Sequence, residues 1–574
     1  MITETREIHL GIPSQRLMVQ ALLEEAGIRL DDKLDFYVGV FDSSDTLLGG
    51  AGLCGDVIKC VAVSEAARDL GVTNTLVSRL RQEASSRGLR HLTLFTKPEN
   101  ESVFESLAFH TIGRSHKAIL MESNPRGISG YADILRSMAV AGRNGVIIMN
   151  CNPFTLGHKY LITEAVRRVD HLYVIPVGED KSLYTYSERV RMIESGCRDI
   201  ENVIVCPGSR YAVSASTFPS YFLKRIEDTT DVSIALDLDI FARHIAPALG
   251  ASVRFVGTEP IDMLTSRYNE LMKTILPVRG IAVEEIERMT AGGAPVSASR
   301  VRAAIAEGNM QEAVSMLPLS SLPVLLAREA ADALRAELHA TPKPGLVDEA
   351  GTGAHHDMDL SLMERSINAI TPFFERIIEN AQASPEALQQ IGRDAEKAML
   401  DETRGVNTHR GAIFAMSLAL VAFMRLIETG VNVTQESLSS EISMVAQSIS
   451  RPQGTHGAAT YQRYSSPGAL DNARAGYRQL FDSWLPFLRA NLSHHHYQLL
   501  TLLKIMAEIS DSNVLHRAGP DGALFVRQEA ARLLGDFSIS AMKRANECFV
   551  ERNISPGGAA DMLALTLLIH KLTS

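Results

Sequence analysis

The sequence predicts three successive folds: a small α+β domain, an α/β domain with a mostly parallel sheet, and an all-α domain. Three observations carry that reading. The 574-residue chain is about four times an ordinary domain length, so several separate cores are expected. Strand and helix patterns alternate between about residues 143 and 316, as crossovers over a parallel sheet require. Beyond Ser321 β-branched runs almost vanish and helical patterns follow one another.

In the first region, residues 1–125, the order is helix 13–26, strands 34–41, 46–53 and 57–63, helix 72–86, strand 91–96, helix 99–107 and strand 118–121. The alternation of Leu34, Phe36, Val38 and Val40 marks a half-buried strand. Arg68, Gly71 and Thr73 stand where the GNAT acetyltransferase superfamily, which this order resembles, has its pyrophosphate-cupping turn, with Thr73 replacing the small residue usual there.

The second region, residues 126–320, predicts strands 146–149, 172–177, 203–206, 233–236, 253–256 and 281–283. Ligands gather at the strand C-termini of such sheets, where Asn152, Gly178, Gly208, Asp237 and Gly257 fall. The run Gly145-Val-Ile-Ile-Met-Asn-Cys-Asn-Pro-Phe-Thr-Leu-Gly-His158 ends a buried strand in a polar turn ahead of a helix. Free helix N–H groups and the His158 imidazole then suit the charge that builds on phosphate during nucleotide transfer. Far downstream, Val296-Ser-Ala-Ser-Arg-Val-Arg302 sets Ser297 and Ser299 at a helix start with Arg302 in its first turn, a clamp for polyphosphate oxygens. The two elements are expected to converge on one triphosphate. The bland alternative is a helix cap and a packed histidine.

The third region, residues 321–574, carries a helix start at Ser384-Pro385-Glu386. Ala412–Met424 is its longest apolar stretch, too short for a bilayer and suited to a core helix. Three polar, glycine-rich clusters interrupt the helical patterns: Thr341–Asp348 leading to Gly353–Asp359, then Gly405–Gly411, then Asp511–Arg517 with Ser555–Asp561. Two prolines around Lys343 present its ammonium to an anion, and Asn407, His409 and Arg410 sit at a helix N-terminus, where anions are favoured. Asp348, Asp357 and Asp561 are candidates to hold magnesium on a triphosphate, and His355, Asp511, His516 and Arg517 complete the expected second site. Asp237 and Asp239 are weaker candidates for the same ion, and the His494–His496 run reads as a solvated loop.

Composition narrows the class. A net charge of −10 without a long basic run argues against nucleic acid as a partner. The six cysteines show no C-x-x-C pair, as in reduced cytoplasmic proteins. No basic start followed by an apolar core opens the chain, so neither secretion nor membrane attachment is expected.

Residues 1 to about 320 resemble the citrate lyase ligase family, an acetyltransferase-like domain followed by an HxGH-type nucleotidyltransferase. The words that carry this are Cys54-Gly-Asp-Val-Ile-Lys-Cys60, Leu94-Phe-Thr-Lys-Pro98, Asn152–His158, Phe255-Val-Gly-Thr-Glu-Pro260 and Val296–Arg302. The resemblance implies that acetate and ATP give acetyl-adenylate and pyrophosphate, the acetyl then passing to the prosthetic-group thiol of the citrate lyase acyl carrier subunit. His158 and Thr155 would serve the α-phosphate, Ser299 and Arg302 the β- and γ-phosphates. Asn152, Phe154, Gly157, Arg189, Gly257, Thr258 and Ser297 would bind the nucleotide, with Glu259 a further candidate contact.

From about Leu326 onward the chain resembles the triphosphoribosyl-dephospho-CoA synthase family, which joins ATP to dephospho-CoA and releases adenine. Where that family has Gly-x-Arg-Gly-Glu-Ala-Glu-x-Gly-Phe, this chain reads Gly468-Ala-Leu-Asp-Asn-Ala-Arg-Ala-Gly-Tyr477, losing an arginine and two glutamates. The leading expectation is thus a bifunctional citrate lyase maturation enzyme. The alternatives are a simple adenylyltransferase and, for the helical part, a non-catalytic docking module for the lyase complex.

Overall fold

The structure, a computed structural model, describes residues 3–68, 70–178, 182–211, 226–260, 262–450 and 468–574. It divides into two compact units, Met1–Asn152 with Gly157–Pro295, and Pro153–Leu156 with Val296–Ser574. Within the second unit, helix Met310–Ser315 packs on the C-terminal helix Gly557–Leu572.

The first unit holds two sheets. One has seven strands in the order β1 (Glu4–Glu7), β2 (Phe36–Phe41), β3 (Leu47–Cys54), β4 (Val57–Val63), β5 (Thr93–Thr96), β7 (Ile119–Glu122), β6 (His110–Arg114). All neighbours are antiparallel except β4 and β5, which pair in parallel over only Val57–Thr93 and Ile58–Leu94. Helices α1 (Pro13–Glu25), α2 (Val72–Ser86) and α3 (Glu101–Ser106) complete the mixed α+β domain that the sequence predicts. Strands β1 and β6 were not legible. β1 is four residues of Glu, Thr, Arg and Glu paired at the sheet edge, with no apolar alternation to betray it.

Helix α4 (Gly127–Met138) leads to the second sheet, five strands in the order β10 (Val203–Val205), β9 (His171–Pro176), β8 (Asn144–Met149), β11 (Ala251–Gly257), β12 (Ala282–Ile286). Every pair is parallel. The chain winds from β8 out to β9 and β10, then returns to β11 on the other side, so the strand order reverses beside β8. Gly208 follows β10 closely enough to β9 that an added Cβ would lie 2.3 Å from the Pro176 carbonyl oxygen. Gly208→Ala should therefore destabilise the protein by about 1–3 kcal/mol, read as a lowered denaturant midpoint with an unchanged slope.

One predicted strand is a helix. Residues 233–236 belong to α7 (Ile226–Ile240). Its apolar residues alternate as in a strand, yet Val232, Ile234, Leu236, Leu238 and Ile240 are all buried because α7 packs on β6 and on helix Met263–Ile275 together. A helix covered on several sides shows no clear amphipathic period. Asp237 consequently leaves the strand-end set, and both Asp237 and Asp239 leave the magnesium reading. Asp237 accepts the Tyr268 hydroxyl, and Asp239 takes the Arg114 backbone N–H at 2.8 Å and pairs with Arg243 at 2.7 Å and Arg279 at 2.9 Å.

The second unit is helical. Ser384 caps Pro385–Glu402 as expected, accepting the Ala387 N–H at 3.3 Å. Arg410–Glu428 is long and apolar enough to cross a membrane, but it is mostly buried among the other helices, as a core helix is. The His494–His496 segment lies in turns ahead of helix Tyr497–Glu508.

Candidate functional sites

At the end of β8 the chain turns through Asn150–Asn152 toward α5 (Leu156–Val166). Arg189, on α6 (Tyr186–Cys197), was expected to touch nucleotide; the structure corrects this. Its side chain is 0% exposed. Its Nη1 donates to the carbonyls of Asn150 at 3.0 Å and Val177 at 2.8 Å, and its Nε to that of Tyr184 at 3.2 Å. Desolvating a guanidinium is tolerable only with such partners, so Arg189 is a brace for the strand-end turns. Asn152 supports the same region by accepting the Tyr184 N–H at 3.1 Å.

His158 lies in the first turn of α5 and is half-buried. Burial, and then the positive charge of Arg288, push its pKa down to about 4. At neutral pH it is an uncharged imidazole, able to donate one hydrogen bond. Arg288 is the residue that sequence reasoning missed. It follows the C-terminus of β12 and pairs with Glu259. Glu259 is thereby engaged by the protein, and Thr258 holds the same turn: its N–H donates to Ile286 O at 2.9 Å and its Oγ1 accepts the Arg288 N–H at 3.1 Å. Gly257 ends β11; an added Cβ there would sit 3.7 Å from Arg288 Cγ, an ordinary contact.

Phe154 and Thr155 belong to the second unit and are buried, while Gly157 belongs to the first. Ser297 caps helix Ala298–Ala306 by accepting the Arg300 N–H at 3.3 Å, with the Ser299 hydroxyl 3.1 Å away. Arg302 lies in the first turns of that helix, half-buried.

The helical unit encloses a cavity of about 1130 Å³. Ten of the eleven residues expected in the second site line it: Lys343, His355, Asp357, Asn407, His409, Arg410, Asp511, His516, Arg517 and Asp561. The eleventh, Asp348, is buried but absent from the lining, its carboxylate holding a turn through the N–H groups of Lys343 at 2.6 Å and Ala350 at 2.7 Å. That removes it from the magnesium candidates.

Lys343 is not a presented ammonium either. It is 1% exposed, and its Nζ donates to the Glu337 carbonyl at 2.8 Å and carboxylate at 2.5 Å. Asp511 caps helix Ser512–Gly535 through Asn513 N–H at 2.8 Å and also accepts the Ala559 N–H at 3.0 Å, joining two helix starts. Gly558 permits this approach, since an added Cβ would lie 3.0 Å from Asp511 Oδ2. Burial pushes Asp511 and Asp561 up, Asp561 further because Glu337 and Asp511 stand near it. His355 donates or accepts at 2.7 Å with Ser555 Oγ, and Arg517 reaches its other ring nitrogen at 3.3 Å.

His409 is buried, and burial next to Lys343 pushes its pKa down to about 4. Because the folded pKa lies below the unfolded value of about 6.5, this histidine's stabilising contribution is complete above that value. It is lost as pH falls toward 4. The wild type should lose stability relative to His409→Gln by about 1.4 kcal/mol per pH unit across that window, followed by denaturation at pH 7, 6 and 5.

In the altered segment, Asp471 caps its own helix by accepting the Gly468 N–H at 3.0 Å. Arg474 turns to the carbonyl of Ile449 at 2.7 Å, and Leu470, Asn472 and Tyr477 line the cavity. Among the described residues no group of three His, Cys, Asp or Glu side chains is arranged to hold a metal ion.

The class these folds define is an α/β domain built on a five-stranded parallel sheet, preceded by a seven-stranded mixed sheet and followed by an all-helical domain. Residues 144–325 match the family model of the citrate lyase ligase C-terminal domain, and 323–574 that of the ATP:dephospho-CoA triphosphoribosyl transferase. Citrate (pro-3S)-lyase ligase of Haemophilus influenzae is 37% identical over 315 residues, 54% of this chain and 94% of that protein. The 2-(5''-triphosphoribosyl)-3'-dephosphocoenzyme-A synthase of Pectobacterium atrosepticum is 39% identical over 260 residues, 42% of this chain and 86% of that protein. Among solved structures, Escherichia coli ElaA is 17% identical, covering 21% of this chain and all of its own, with a TM-score of 0.19. The chain is a fusion that belongs to the citrate lyase ligase family in its N-terminal part and to the triphosphoribosyl-dephospho-CoA synthase family in its C-terminal part.

Proposed function

We propose that the protein is a bifunctional, cytoplasmic maturation enzyme for citrate lyase. In its first activity an acetate oxygen attacks the α-phosphorus of ATP, giving acetyl-adenylate and pyrophosphate. The prosthetic-group thiol of the acyl carrier subunit then takes the acetyl group and AMP leaves. Uncharged His158 donates to the α-phosphate oxygens, with Thr155 beside it in the motif, while Ser299 and Arg302 hold the leaving pyrophosphate. Arg288 joins this set as a second cation.

In the second activity a hydroxyl of dephospho-CoA displaces adenine from ATP, forming the triphosphoribosyl product and breaking the N-glycosidic bond. Magnesium accompanying ATP neutralises phosphate charge. Asp357 and Asp561 line the cavity and would hold that ion, the Asp561 carboxylate standing near those of Glu337 and Asp511. The single observation that carries the helical half is one cavity gathering ten residues drawn from three clusters scattered over more than two hundred positions.

The deciding experiment is incubation of thiol-form carrier with acetate and ATP, followed by its intact mass, alongside adenine release from ATP and dephospho-CoA. An acetylated carrier with no adenine release would leave the helical part a docking module. Exchange of pyrophosphate with ATP independent of acetate would make the first part a simple adenylyltransferase.

A further inference from the structure

Two buried polar atoms of the helical cavity, the Tyr477 hydroxyl and His409 Nε2, make no hydrogen bond among the described residues. Tyr477 is 3% exposed, lines the cavity, and its hydroxyl makes no hydrogen bond. His409 is equally buried; its Nδ1 meets Ser366 Oγ at 2.8 Å, whereas its Nε2 is unpartnered. Buried polar atoms are nearly always satisfied, so two orphans on one cavity wall mark places that a ligand fills.

Asp561 links them. Its Oδ2 packs against Gly411, two residues from His409, where an added Cβ would lie only 2.0 Å away. Tyr477 lies near enough to feel the same carboxylate. The backbone fixes Tyr477 in the left-handed region at φ 48°, after Gly476, whose added Cβ would meet Ser439 O at 2.6 Å.

The chemistry of the pair selects its ligand. Each orphan atom is a single hydrogen-bonding position on a ring, which suits a donor–acceptor edge rather than the several oxygens of a phosphate. Ile413, Phe414 and Leu470 add apolar surface to the same lining. A flat heterocycle with apolar faces and a donor–acceptor edge satisfies both demands.

We propose that Tyr477 and His409 form a purine-reading subsite, hydrogen-bonding the ring edge of an adenine base. This rests on the reading of the helical half as a nucleotide-handling enzyme. ATP and dephospho-CoA both carry adenine, and the test separates them.

The full chain is compared with Tyr477→Phe and His409→Gln by adenine release, varying ATP and dephospho-CoA in turn. Expected is a KM raised about tenfold for the one substrate whose adenine sits there, the other staying within about twofold. A higher KM for ATP assigns the departing base, and one for dephospho-CoA the base of the acceptor. Unchanged KM values in Tyr477→Phe, which removes a single oxygen, overturn the subsite while leaving the enzymatic reading intact. If the wild type releases no adenine, that reading falls. The subsite is then judged by equilibrium dialysis with dephospho-CoA and ATP: weaker binding in both variants keeps it, unchanged binding removes it. A cooperative calorimetric transition of the helical part at neutral pH shows that each variant is folded.

Discussion

His158→Ala should lower acetate-dependent exchange of pyrophosphate into ATP by at least about a hundredfold, while the protein stays folded and adenine release in the helical part continues. The imidazole is uncharged, with a pKa near 4, so its service to the reaction is one aimed N–H rather than a positive charge. A lost donor at a developing oxyanion costs about 3 kcal/mol of transition-state stabilisation. The same uncharged state makes the His158 contribution flat from pH 6 upward, and activity should decline only as acidity approaches its folded pKa. Exchange at the wild-type rate in the alanine variant would take His158 out of the chemistry.

Lys343→Met should destabilise the helical domain by about 3–5 kcal/mol and abolish adenine release. The ammonium is buried against the Glu337 carboxylate, whose side chain is 6% exposed, with Asp561 close enough to feel that acid. Removing the cation strands Glu337 beside Asp561 where water cannot screen them. Calorimetry of the full chain checks this as a lowered transition assigned to the helical part. Pairing the change with Glu337→Leu should recover much of the loss, since the stranded charge goes too. An unchanged transition in Lys343→Met alone would show that the pair carries no stability.

Most of the architecture was readable because its elements obey their own periods: β2, α2 and the capped helix at Pro385 each announce themselves. What was not readable depended on neighbours. The α7 segment looks like a strand because partners on several sides erase its amphipathic face. Residue types in the second site pointed to the right cavity, yet their duties there were hidden. Nothing local to Thr341–Asp348 reveals that Lys343 folds back on Glu337, or that Asp348 spends its oxygens on a turn. Arg288 is a lone arginine after a strand, and only its nearness to His158 gives it meaning.

The inward-facing arginine of α6 has a consequence for ligand entry. Because Arg189 ties together backbone carbonyls from Asn150, Val177 and Tyr184, those segments are set by the protein itself. A ligand then spends little of its interaction on ordering the floor beneath it. The dependence falls on fork geometry rather than on charge, so a lysine there would keep the cation and still let the floor loosen.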